Sequence, residues 1–214
     1  NHAELWDAVT GNITPIAVKH ESFMRTQVEL DLLQSESRFV VFRNNGGQIP
    51  PPAKEFAQTP ITNDWSLEFP AGWGIDEPLT LKELKAWKDL DISPEGKAFS
   101  GTATYTTTFK VDENVAGKII LDLGEVDMVA EVFVNDQKVQ TLWSKPYQTD
   151  IANFTQSGEN KLRIEVTSTL FNRLIYDAGQ PAEKRKTWTI SGPNEKHQLH
   201  QTGLLGPVKL LTEK

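Results

Sequence analysis

Between Gly101 and Leu211 the chain runs in short segments that alternate apolar with polar residues and close on turn-forming ones. GTATYTTTF, KIILDLGEVDMVAEVFVNDQKV, WSKPYQTDI, GENKLRIEVTS and GLLGPVKLL follow one another in this manner. Successive side chains of a strand point to opposite faces, so a period of two buries one face and wets the other. A succession of such segments predicts half-buried antiparallel strands stacked as two sheets, an all-β sandwich. Ala103, Tyr105, Thr107 and Phe109 share one face of the opening segment; Ala130, Val132 and Val134 share a face of another, and Leu162, Ile164 and Val166 of a third. These are the expected core. Asn135-Asp136 supplies a tight hairpin turn, since both residues tolerate positive φ.

Upstream the pattern is sparser. ELWDAV and ITPIAV flank Thr10-Gly11-Asn12, which predicts a hairpin, and two further strands are expected at Val28 to Leu33 and at Arg38 to Phe42, the latter covered on both sides. Four strands with no partner sheet do not enclose a core. Residues 1–58 therefore read as the tail of a preceding β-domain plus a linker, marked by Asn44-Asn45-Gly46-Gly47 and Pro50-Pro51-Pro52, and residues 59–214 as the sandwich. The opening at Asn1-His2 in strand-like sequence carries the expectation that the adjoining domain continues upstream. Trp65 to Phe69 predicts the first strand of the second domain. Thr80-Leu-Lys-Glu83 has the spacing of a capping box and predicts a short helix running to Leu84 and Trp87, the one helix expected.

Composition narrows the partners. Of 214 residues 24% are charged, with a net charge of −7, so the basic footprint of a nucleic-acid binder is missing. No apolar run approaches the length of a membrane span. The chain holds no cysteine, which excludes disulfides, thiolate metal sites and thiol nucleophiles.

Glycoside hydrolysis needs two carboxyl groups facing each other across a bond. Glu125, Asp127 and Glu131 are available, but their spacing gives no sign of such a pair, and catalytic residues are not expected. His197 and His200 form an H-x-x-H that falls on opposite faces if the segment is a strand, which reads as surface histidines rather than a metal site. Sugar recognition asks for an exposed aromatic face and planar polar groups. Trp143, Tyr147 and Trp188 are the aromatics nearest to predicted loops, and Asn172, Arg173 and Asp177 in FNRLIYDAG supply polar groups at a strand exit. The same residues also have a structural reading. Aromatics of a sandwich fill or seal its core, and Arg173 can anchor hydrogen bonds or a domain interface.

The segments also resemble a known family. Gly101, Tyr105 and Phe109, Leu121 to Gly124, Val134-Asn135, Trp143, Pro146 and Tyr147, Asp150-Ile151, Gly158, Asn160 and Leu162, Asn172 to Leu174 with Asp177, and Gly203 to Leu210 match in order and spacing the galactose-binding-like jelly roll of family-2 glycoside hydrolases. The resemblance is closer still to the non-catalytic domain near the C-terminus of family-106 α-L-rhamnosidase-like enzymes. It covers the last two thirds of the chain and, more weakly, the first. Two departures are Asp136, where the family often has glycine, and the long EKRKTWTISGPNEKHQLHQ stretch before the last strand, expected as a solvated loop. The resemblance implies a galactose-binding-like β-sandwich without catalytic residues, whose chemistry sits in an upstream barrel of the parent chain. Its expected partners are that catalytic domain and a glycan, with no nucleic acid and no membrane, in a periplasmic or extracellular setting. In the alternative, the module only docks, through a loop at Asn172 to Asp177, and has no sugar affinity. No cofactor is implied, apart from the structural calcium of many such domains, for which Asp112-Glu113-Asn114 is the candidate turn.

Overall fold

The computed structural model describes residues 2–22, 25–32, 36–44, 55–113, 115 and 117–213, the side chains of 20–22 excepted. The chain divides into two compact units, Asn1–Glu55 and Phe56–Lys214. The linker read between residues 44 and 52 lies outside the described residues from Asn45 onward.

In the first unit β1 (His2–Trp6) and β2 (Ile13–Ile16) form the expected hairpin, with Gly11 at φ 73° in its turn. Next come β3 (Val18–Ser22) and β4 (Arg25–Val28), which pair with each other, and β5 (Phe39–Arg43), which pairs with β1 to give the order β2-β1-β5. Two expectations need correction. The strand read from Val28 to Leu33 ends at Val28, leaving Leu30 and Leu32 exposed. RFVVF lies at the edge of the sheet, paired with β1, and this edge position leaves Phe39 and Phe42 exposed.

The second unit is the sandwich. Its strands are β6 (Phe56–Pro60), β7 (Trp65–Glu68), β8 (Leu79–Leu81), β9 (Thr102–Val111), β10 (Ile119–Asp122), β11 (Glu125–Val126), β12 (Val129–Val134), β13 (Gln137–Leu142), β14 (Gln148–Asp150), β15 (Gly158–Thr167), β16 (Leu204–Gly206) and β17 (Lys209–Glu213). One sheet has the order β13-β12-β15-β9-β7-β8 and the other β14-β10-β17-β6, all pairs antiparallel, while β11 and β16 form a short ribbon. Ala103, Tyr105, Phe109, Ala130, Val132, Val134, Leu162, Ile164 and Val166 all lie in the core as their alternation requires. Asn135 and Asp136 take φ of 49° and 64°, the twist-matched hairpin geometry that Asp136 supports without glycine.

One end of the core is aromatic. Phe99 makes edge contacts with Phe69, Trp73 and Trp87 at centroid distances of 5.0, 5.1 and 5.1 Å. Beside it the Trp87 indole donates to the Tyr105 hydroxyl at 2.6 Å, and the Leu204 amide donates to the same oxygen at 3.2 Å. Burial pushes the Tyr105 hydroxyl up to about 12. Gly203, at φ 108°, fits there because a Cβ would meet both the Trp87 Nε1 and the Tyr105 oxygen at 2.7 Å.

The helices fall elsewhere than expected. Thr80-Leu-Lys-Glu83 opens no helix: Leu79–Leu81 pairs instead with Trp65–Leu67 at the sheet edge, and a single 3-10 turn follows at Trp87–Asp89. Strand pairing and burial of Leu81 outweigh the local capping pattern. A short α1 (Pro94–Lys97) is capped by Ser93, whose hydroxyl accepts from the Gly96 amide at 3.0 Å. The longer helix is α2 (Phe171–Ala178), read from sequence as a loop. Its inward residues include Asn172, Arg173 and Asp177, so the apolar stripe that marks a surface helix is replaced by a polar one.

Candidate functional site

The residues singled out in FNRLIYDAG converge because α2 places Arg173 and Asp177 one turn apart on the face turned to the protein. The Arg173 side chain is 1% exposed; its Nη2 meets Asp177 Oδ1 and its Nη1 meets Glu95 Oε1, each at 2.8 Å. The Arg173 amide donates to Ser100 Oγ at 3.1 Å, and the guanidinium lies 5.1 Å from the ring centres of both Trp73 and Tyr176. Asp177 Oδ2 accepts three hydrogen bonds, from the Lys186 amide at 3.0 Å, the Thr187 amide at 2.6 Å and the Thr187 hydroxyl at 2.8 Å. Lys186 in turn pairs with Glu95 at 3.1 Å, donates to the Gly72 carbonyl and sits 4.5 Å from the Trp73 ring centre. Asn172 closes the set, its Oδ1 accepting from the His200 amide at 2.8 Å and its Nδ2 donating to the His200 carbonyl at 3.0 Å.

Electrostatics follow from these contacts. Burial would raise the Asp177 carboxyl, but the Arg173 guanidinium and the Thr187 donors outweigh it and hold the group below the usual carboxylate range. The hydrogen bond from Arg173 lowers Glu95 too, against burial and with help from Lys186. Chemically this is a clamp: it binds the 70s loop, α1 and the loop after α2 to one helix.

The aromatic candidates divide. Tyr147 is buried, and its hydroxyl donates to the Met128 carbonyl at 2.9 Å, so it is a core residue. Trp143, between β13 and β14, is 60% exposed, and Trp188, next to the clamped Thr187, is 75% exposed. A second polar group lies near Tyr147. Asp127 Oδ2 is buried with no hydrogen-bond partner among the described residues; burial raises its carboxyl and the nearby His200 lowers it in part. Burial, then the Asp127 charge, also raises the Tyr147 hydroxyl. The His200 ring stacks on Phe171 at 4.1 Å, which ties this group to the start of α2.

Of the carboxylates weighed for catalysis, Glu131 is bound to Lys138 at 2.9 Å, which holds it low, and Glu125 lies 3.8 Å from Lys145. Asp127 has the raised carboxyl that an acid catalyst uses. The segment holding His197 and His200 is not a strand; His197 Nδ1 stays within its own turn, on Asn194. Among the described residues no group of three or more His, Cys, Asp or Glu side chains comes together to hold a metal ion. Calcium takes six to eight oxygens. In the candidate turn the Asp112 carbonyl accepts from the Val115 amide at 3.1 Å, Asp112 and Glu113 are exposed, and Asn114 lies outside the described residues. Among the described residues no helix is long and apolar enough to cross a membrane.

Trp73, Glu95, Ser100 and Lys186 belong to this site without having been singled out from sequence. Glu95 stands 78 positions before Arg173, and no local pattern links residues so far apart. A partial signal did exist for the helix itself: Asn172 and Ile175 are three positions apart and Arg173 and Asp177 four, the spacings that share a helix face once polar residues are allowed inside.

Residues 96–201, which take in α2, Ser100, Lys186 and strands β9 to β15 of the sandwich, match the family described as glycosyl hydrolase 2 galactose-binding domain-like. The sandwich has the galactose-binding-like fold. A curated protein of Formosa agariphila, provisionally named a β-glucuronidase, is 32% identical over 229 residues, which takes in 89% of this chain and 20% of that protein. The rhamnosidase of Novosphingobium sp. PP1Y superposes with a TM-score of 0.81 at 33% identity, over 99% of this chain and 20% of that one. The β-glucuronidase of Ruminococcus gnavus shares the fold at a TM-score of 0.55 and 16% identity, over 78% of this chain and 30% of that one. The chain thus spans about a fifth of the length of its more similar relatives.

Proposed function

We propose that these 214 residues act as a non-catalytic, carbohydrate-associated β-sandwich module of a larger rhamnosidase-like glycoside hydrolase, periplasmic or extracellular as the family resemblance implies. The observation that carries this is the inward engagement of Asn172, Arg173 and Asp177: the polar groups best suited to a sugar are engaged within the fold. Hydrolysis then belongs to another domain of the parent chain. For direct contact with glycan the platform is Trp143, whose exposed indole offers one face to a pyranose. A single shallow aromatic site gives only weak affinity, useful as part of a multivalent enzyme.

A second reading, docking without sugar affinity, is favoured by the clamp itself, which fixes a long loop after α2 instead of facing solvent. Titration of the purified chain with oligosaccharides separates the two. Saturable shifts at Trp143, absent in Trp143→Ala, support the carbohydrate-associated reading. No shift at any concentration leaves docking as the role.

A further inference from the structure

Trp188 and Ile190 project from the loop after α2 with 75% and 92% of their surfaces exposed. Large apolar side chains close together in water mark an interaction surface more often than a decorated loop. This loop is not slack. Asp177 holds the Lys186 and Thr187 amides, Arg185 donates to the carbonyls of Gln180 and Ala178 at 2.8 and 3.3 Å, and the Thr189 hydroxyl donates to the Ser191 carbonyl at 3.1 Å. The conformational cost of presenting the two side chains is therefore met before any partner arrives. Leu174 and Ala178 of α2 face this loop, while Ile175 and Tyr176 turn to a separate open groove of about 410 Å³ that Ile92, Pro94 and Leu199 also line. A projecting apolar pair and an apolar groove thus flank one short helix, and the buried clamp fixes both.

We propose that this knuckle and groove dock against an apolar patch on another domain of the same, longer polypeptide. The inference rests on the module reading above. Relatives of which this chain spans 20% have four-fifths of their length in which such a patch can lie. A second copy of the chain fits less well, because two side chains and one groove fall short of the roughly 800 Å² per partner of stable association between separate molecules. Covalent linkage removes that requirement, since a tethered domain is present at an effective concentration of about millimolar. A sugar is also a poorer fit, because Ile190 offers a pyranose no aromatic face. The Asn172 to Asp177 segment, first read as the contact itself, is instead what holds the contact in place.

The test is hydroxyl-radical labelling of Trp188 in the purified 214-residue chain and in the full-length protein that contains it. Trp188 labels readily in the short chain and about tenfold more slowly in the long one, as labelling through an undocked tenth of the population gives. Trp188→Ser with Ile190→Ser leaves the melting temperature of the short chain unchanged and, in the long chain, restores labelling at Tyr176. Equal labelling of Trp188 in both proteins overturns the proposal while leaving the module reading intact. Protection already present in the short chain overturns it too, because the cover is then the first unit or a second copy, and so does protection that needs added sugar. If the natural protein ends with these 214 residues, the module reading falls first and this inference with it.

Discussion

Arg173 is surrounded by Tyr176 and Asp177 of its own helix and by Trp73, Glu95 and Ser100 from far upstream in the chain. Removing one partner of a buried pair leaves the other charge uncompensated, so Arg173→Ala is expected to lower stability by about 3–5 kcal/mol, read from the shift of the urea midpoint. The acids of the clamp set a pH dependence with a definite sign. Asp177 and Glu95 are depressed in the folded protein, so the stability they contribute is present above the ordinary carboxylate range and is lost as pH falls through their lowered values. Asp127 runs the other way. Burial raises it, so its charge costs stability once pH exceeds the usual carboxylate value, and the cost is complete above the raised one. In melting curves followed against pH, Asp177→Asn is expected to flatten the loss on acidification, whereas Asp127→Asn raises the melting temperature at pH 7 and leaves it unchanged in acid. A gain for Asp127→Asn at low pH would contradict the burial assigned to that carboxyl.

Among the elements, the short β11–β16 ribbon depends on two glycines that the family resemblance had singled out, one in LDLG and one in GLLG. Gly124 bridges to Gly206, and a Cβ at Gly124 would meet the Gly206 carbonyl carbon and oxygen at 2.5 Å, on a backbone at φ 65°. Both objections are to backbone atoms that cannot rotate away, so Gly124→Ala is expected to cost about 3 kcal/mol or more, measured by thermal or urea unfolding. Strands were legible in the sequence wherever one face is apolar: β9, β12 and β15 put the expected residues in the core. Legibility failed where another term decided the outcome. Thr80 to Glu83 has helix-capping spacing, yet Leu79 and Leu81 are drawn into the sheet beside Trp65 and Leu67. FNRLIYDA hid a helix because its buried face is charged, and a charged face becomes interior only through Glu95, Ser100 and Lys186, which lie far away in sequence. Trp143 and Tyr147 are four residues apart and read alike, but only the structure separates an exposed indole from a buried phenol.

At the scale of the molecule, the chain is a β-sandwich of galactose-binding-like fold together with a smaller β unit, matched over nearly its whole length by about a fifth of a rhamnosidase. The sandwich is held by apolar alternation, and the polar interior face of its α2 helix fixes loops. Glycoside hydrolysis asks for two cooperating carboxyls, whereas Glu125 and Glu131 each lie beside a lysine and burial raises the Asp127 carboxyl. The decisive measurement is turnover of an aryl α-rhamnoside and an aryl β-glucuronide by the purified 214-residue chain. The expected rate equals that of buffer alone; release of the aryl group above that rate, abolished by Asp127→Asn, would contradict a non-catalytic module.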